Sequence, residues 1–245
     1  MNRRVQFSLL LLAAASGCVD ALAFTVLGTV FAGVMTGNLV LLGAAVGHAA
    51  GSGAGTGEGV AAPLYALGGY VVGAALVALV CRGAARRASW PGRVVACLAG
   101  QTVMLAGVAV VGGVLDGRPG GAWRTVLLVV AALAMGGQSA AMVAAGSGAA
   151  PTTYFTGTLT ALVTGTADGS GRGTGRLWVA ARLCAVVAGA ACGVAVHAGA
   201  PSWGFVPPAV FTAAAVGCQK PAQRLRRAVT RLHKNPLHHT NNETH

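Results

Sequence analysis

Long apolar stretches with almost no charge in them constrain this chain more than any other feature. Residues 5–27, 60–81, 94–115, 122–145 and 177–198 each run for roughly the 20 residues that an α-helix needs to cross a hydrocarbon core about 30 Å thick. A sixth run, 203–219, has Pro207-Pro208 near its start. Charged residues make up 9% of the 245, hydrophobic residues 55%, and the mean hydropathy is +0.68. A soluble domain carries about 25% charged residues, so this chain has too little charge to cover a globule in water. It reads as an all-α integral membrane protein whose first partner is the lipid bilayer.

The start admits one competing reading. Arg3-Arg4, the apolar run 9–15 and Ser16-Gly17-Cys18 have the layout of a lipoprotein signal peptide. The apolar run continues past Cys18 to Leu27, so residues 5–27 are taken as the first transmembrane helix.

Two shorter runs stand apart. Met35-Thr36-Gly37-Asn38 opens an apolar stretch ending near His48, and Phe155-Thr156-Gly157-Thr158 opens another ending near Ala167. Thr36 and Thr156 are 120 residues apart, and the same offset relates Gly17 to Gly137, Gly28 to Gly148, Gly69 to Gly189 and Gly73 to Gly193. A constant offset of this kind marks an internal duplication, although a glycine-rich composition inflates each match. The repeat halves span about 5–115 and 122–219, within a single polytopic membrane domain over 1–219. Residues 220–245 are a basic, histidine-containing tail expected to be disordered.

Charge decides between two topologies. The chain holds 17 Lys and Arg against 5 Asp and Glu, a net +12. In membrane proteins Lys and Arg favour cytoplasmic loops. If all eight runs crossed, with the N-terminus inside, the loop carrying Arg82, Arg86, Arg87 and Arg93 would lie outside. If the two short runs dip in and return, that loop falls inside, together with Arg172, Arg176 and the basic tail, and only Arg118 and Arg124 are misplaced. The expected architecture is therefore about six transmembrane helices plus two short re-entrant or half helices. Both termini are inside, in the bacterial cytoplasmic membrane. Three spans per half forces the halves into opposite orientations, so they form two inverted repeats, as in many secondary transporters.

The stretch from Ser16-Gly17-Cys18-Val19-Asp20-Ala21 to Met35-Thr36-Gly37-Asn38 resembles the YoaK-like family of bacterial inner-membrane proteins. Gly136-Gly137-Gln138 and Thr152-Thr153-Tyr154-Phe155-Thr156-Gly157-Thr158 carry the resemblance through the second half. It extends to about Gln219 and departs at Cys18, where a bulkier side chain is expected. It implies a multi-span membrane protein of about six helices and no assigned activity.

Several polar residues stand in apolar surroundings. Asp20 lies within the first helix, and an intramembrane carboxylate marks a functional site or a locking hydrogen bond. It is expected to face the Met35 segment as a proton- or cation-binding group. Thr36, Gly37, Asn38, Thr156, Gly157 and Thr158 are candidate solute-binding residues, and capping of the short helices is the alternative role. Arg182 is expected to snorkel from the cytoplasmic end of its helix. Gln101 and Gln138 are read as interhelical hydrogen-bonding groups, and Gly69, Gly73, Gly189 and Gly193 as close-packing positions within the chain or in a homo-oligomer. The six cysteines read as small buried apolar residues. No zinc-type spacing, catalytic triad or paired carboxylates is present, so no metal, no cofactor and no enzymatic activity is expected. With only two lysines and no aromatic interleaving, the basic residues do not read as a nucleic-acid surface. The expected function is a small-solute or ion permease or channel, with its site between the two short polar-opened helices near the midplane. The alternative is a non-transporting membrane scaffold or partner subunit.

Overall fold

A computed structural model describes residues 3–52, 57–82, 90–146, 160, 163 and 173–219. Seven helices position everything discussed below. They are α1 (Arg3–Leu22, continuing as a π-helix Ala23–Gly28), α2 (Met35–Ser52), α3 (Gly57–Cys81), α4 (Gly92–Val114), α5 (Gly121–Ala145), α6 (Gly173–Gly199) and α7 over 206–219. A single 3-10 turn, Pro201–Trp203, precedes α7. No strand occurs among the described residues.

Five of these helices are long and apolar enough to cross a membrane: Arg3–Gly28, Gly59–Cys81, Gly92–Val114, Gly121–Ala145 and Leu177–Gly199. They match the five long apolar runs to within a few residues at each end. The 203–219 run is helical only from 206, after the Pro201 turn. The glycine-rich linker expected at 51–59 is shorter than the sequence implies. α2 continues to Ser52 and α3 starts at Gly57, because hydrogen bonding within an apolar setting outweighs the low helix propensity of glycine.

Two apolar clusters mark the two ends of the bundle. One joins Val5, Leu9 and Leu12 of α1 to Cys81 at the end of α3, Trp90 and Val94 at the start of α4, Met142 and Ala145 at the end of α5, and Ala215 and Val216 of α7. The other joins Leu22 and Leu27 to Ala66, Leu105, Leu127, Phe205 and Ala209. The start of α6 lies at the first end, where Phe7 meets Trp178 edge-on with centroids 5.8 Å apart. α1, α4 and α6 therefore run from the first end to the second, and α3, α5 and α7 run back.

The tightest pairs are not sequence neighbours. α1 lies along α6, and α3 along α5, each pair parallel. A methyl group added at Gly189 would strike the backbone of Ala14, and one at Gly193 the side chain of Cys18. In the other pair, one at Gly69 would sit 2.8 Å from the carbonyl oxygen of Val129, and one at Gly73 would strike Leu133. All four glycines therefore pack within the chain. Without lipid-excluding hydrophobic pressure between helices, such close backbone approach is what gives van der Waals association in a bilayer.

Candidate functional site

The site begins where α1 stops being regular. After Leu22 the helix widens into one π-helical turn, Ala23–Gly28, and the chain reverses at Gly28 (φ 150°) and Thr29 (φ 56°). Gly28 tolerates that backbone because it has no Cβ. The chain then runs back down the side of α1. Phe31 stacks on Phe24 with centroids 5.2 Å apart and planes 20° apart, and two residues later Gly33 reaches Asp20. α2 starts at Met35 and climbs again, until Ala45 meets Gly59 near the start of α3. The chain leaves α1 and enters α3 at the same end of the bundle, having dipped back between them.

A dip of this kind puts irregular backbone in apolar surroundings, where each unpaired N–H or C=O costs several kcal/mol. Two side chains meet that demand. The Asp20 carboxylate accepts a hydrogen bond from the Gly33 N–H at 2.6 Å, with the backbone of Ala32 and Val34 beside it. Asn38, fully buried, accepts from the Phe31 N–H at 2.8 Å and donates to the Phe31 carbonyl oxygen at 2.6 Å. Asn38 thus completes both halves of one residue's backbone pairing. Gly33 is small for a reason: a Cβ there would lie 3.1 Å from Asp20 Oδ2. Gly37 likewise makes room for the Phe31 ring, at 2.9 Å.

Of the residues singled out in the sequence, Asp20, Gly37 and Asn38 converge on the 29–34 loop, and Thr36 lies beside them with its side chain exposed. Thr156, Gly157 and Thr158 lie outside the described residues, as does the 220–245 tail. Gln101 and Gln138 meet as expected: Gln101 Nε2 donates to Gln138 Oε1 at 2.6 Å, and Gln138 Nε2 donates to the Leu12 carbonyl at 3.3 Å, linking α4, α5 and α1. His48 is exposed, with Nδ1 2.8 Å from the Ala44 carbonyl oxygen.

Two expectations are corrected. Arg182 does not snorkel to a surface. It is 4% exposed, and its Nη2 donates to Gln6 Oε1 at 2.8 Å. The parallel packing of α6 on α1 encloses it, and Gln6 lies roughly 20 Å along α1 from Asp20, so that bond belongs to the opposite end of the bundle. Nor are all cysteines buried: Cys184 is exposed, and Cys97, Cys192 and Cys218 are half-buried. A cysteine on the outer face of a membrane helix meets lipid at no polar cost, so exposure there is consistent with its apolar character.

Some residues could not have been found from spacing. Ser8 donates to the Ala215 carbonyl at 3.0 Å and accepts from Gln219 Nε2 at 3.0 Å, tying α1 to α7 across most of the chain. Cys81 and Cys97 face each other with sulfurs 3.9 Å apart. Among the described residues no three His, Cys, Asp or Glu side chains converge on a point that could hold a metal ion.

Five apolar, glycine-packed helices and a backbone dip sealed by a buried carboxylate and carboxamide define a multi-pass helical membrane protein. The chain belongs to the DUF1275 family, described as proteins of unknown function, whose profile matches residues 8–218. No curated protein and no solved structure matches it.

Proposed function

We propose that the chain is a small-solute or ion permease, not an enzyme, with two inverted halves of three spans and one re-entrant segment each. It sits in a bacterial cytoplasmic membrane with both termini inside. The observation that carries this reading is the return of Gly33 to Asp20 within the membrane-length part of α1. Broken helices that place backbone and a carboxylate at depth are how many secondary transporters build a solute site.

The directions of the helices support the two-half architecture. α1, α3 and α4 run forward, back and forward, and α5, α6 and α7 run back, forward and back. The glycine contacts agree with it. The 120-residue offset exchanges the α1–α6 pair for the α5–α3 pair, and Gly189 and Gly69 both lie in the packed seam of their pair, with the two seams shifted by about one helical turn. Orientation follows from charge. Among the described residues, Arg3, Arg4, Arg82, Arg93 and Arg176 lie at the helix ends of the first end, which we assign to the cytoplasm, and Arg118 and Arg124 lie at the other. In this reading Thr36, Gly37 and Asn38 meet Thr156, Gly157 and Thr158 across the midplane, Asp20 supplies the single negative charge, and neither nucleic acid nor a cofactor takes part.

The test is flux in proteoliposomes, with current read on a solid-supported membrane while ammonium, amino acids, monocarboxylates and phosphate are presented in turn. A current that falls at least tenfold in Asp20→Asn, with the variant still monodisperse, is the expected result. Single cysteines placed in the 82–93 loop should label with a membrane-impermeant reagent only after lysis; labelling from outside would overturn the assignment of that end to the cytoplasm.

A second reading is a non-transporting scaffold or partner subunit, alone or as a homo-oligomer. It is favoured by the fact that the hydrogen bonds of Asp20 and Asn38 go to the chain's own backbone. Silence towards every solute, with a second protein co-purifying in fixed ratio, would select it.

A further inference from the structure

We propose that Cys81 and Cys97 form a dithiol modification site that small disulfides oxidise to an intramolecular disulfide, stapling the end of α3 to the start of α4. Three observations place it. The two sulfurs are 3.9 Å apart on different helices, so modest side-chain rotation brings them to the bonding distance of about 2.05 Å. Arg93, one turn before Cys97, donates Nη1 to the Arg82 carbonyl at 2.9 Å and to the Val80 carbonyl at 3.4 Å, clamping the last turn of α3 against α4 on both sides of Cys81. The pair also joins helices that have little else between them, since α3 packs chiefly on α5. The staple would therefore alter how freely α4 moves against α3.

The two thiols differ in access. Cys81 is buried and Cys97 half-buried, which sets the order of events. Cys97 loses its proton and attacks one sulfur of the small disulfide, forming a mixed disulfide and releasing one small thiolate. Cys81 then loses its proton and attacks the Cys97 sulfur, releasing the second. Two protein thiols and one small disulfide become one protein disulfide and two small thiols, with the electron pair passing to the reagent. In a compartment that keeps thiols reduced, such a pair is reversible and reports the local poise.

The experiment uses the full chain in membranes and 4,4′-dithiodipyridine, a membrane-permeant disulfide whose released thiopyridone absorbs light. A variant with Cys18, Cys184, Cys192 and Cys218 changed to alanine is compared with the same variant carrying Cys81→Ala or Cys97→Ala. The pair should release two thiopyridones per chain, retain no label and lose the mass of two hydrogen atoms. Each single-cysteine form should release at most one and retain the other half of the reagent as a mixed disulfide. Two retained labels on the pair, or no reaction in the folded protein, would overturn the proposal. Should the four-fold variant fold poorly, wild-type membranes are treated alike and the peptides mapped. A Cys81–Cys97 cross-linked peptide supports the site, and its absence while Cys97 is singly labelled overturns it.

Discussion

Removing the Asn38 side chain tests how the dip is held. In the native protein this one carboxamide satisfies both the N–H and the carbonyl of Phe31, at 2.8 and 2.6 Å, in a fully buried position. Asn38→Ala leaves both groups unpaired. A buried polar group left without a partner costs about 1–3 kcal/mol, so two should cost roughly 3 kcal/mol after some relaxation of the loop. The cost falls on the 29–38 segment, because α2 and α3 remain paired and the bundle contacts of α1 with α6 are untouched. At 1.36 kcal/mol per decade this corresponds to about a hundredfold rise in the local opening equilibrium. Hydrogen exchange with mass readout on peptides covering 29–38 should show it as amides that exchange about a hundredfold sooner, with peptides from α4 and α5 unchanged. Exchange in 29–38 unchanged within about threefold of wild type would refute the assignment of Asn38 as the loop's anchor.

Other expectations are simpler. Gly73→Val drives a side chain into Leu133 and should destabilise the α3–α5 pair by about 1–3 kcal/mol or more in sodium dodecyl sulfate unfolding. Gly68→Ala, where nothing lies within 4 Å, should be neutral or stabilising. A difference in the opposite order would mean that the helices pack on another face. Gln101→Leu and Gln138→Leu should each destabilise, and the double-mutant cycle between them should give a coupling of about 0.6–2 kcal/mol, the range seen for hydrogen bonds between membrane helices; zero coupling would break the assigned contact.

Five of the six expected spans were legible because a bilayer imposes one requirement, apolar length, that single runs either meet or fail. The close-packing glycines were legible for a related reason, since Gly69, Gly73 and Gly189 meet partner backbone and Gly193 meets the Cys18 side chain where a Cβ would collide. Asp20 stood out as an expensive charge, and its carboxylate bonds to Gly33, two residues before α2 begins. That its partner is a backbone amide was not legible, because a peptide N–H has no sequence signature. The enclosure of Arg182 was hidden for a different reason. It depends on α6 lying along α1, and nothing local to residues 177–198 records which helix they meet. The facing of Cys81 and Cys97 depends likewise on the angle between two helices, which their spacing in the chain leaves open.

The parallel pairing of α1 with α6 has a consequence for synthesis. A ribosome adding about 5–20 residues per second takes on the order of ten to thirty seconds to go from the end of α1 to the end of α6. Throughout that interval the groove at Gly17 and the buried polar groups Gln6 and Ser8 lack the surfaces that cover them in the finished protein. The α3–α5 pair, by contrast, can close as soon as Ala145 emerges. The first helix made thus waits for one of the last, and the N-terminal half cannot reach its final packing by itself.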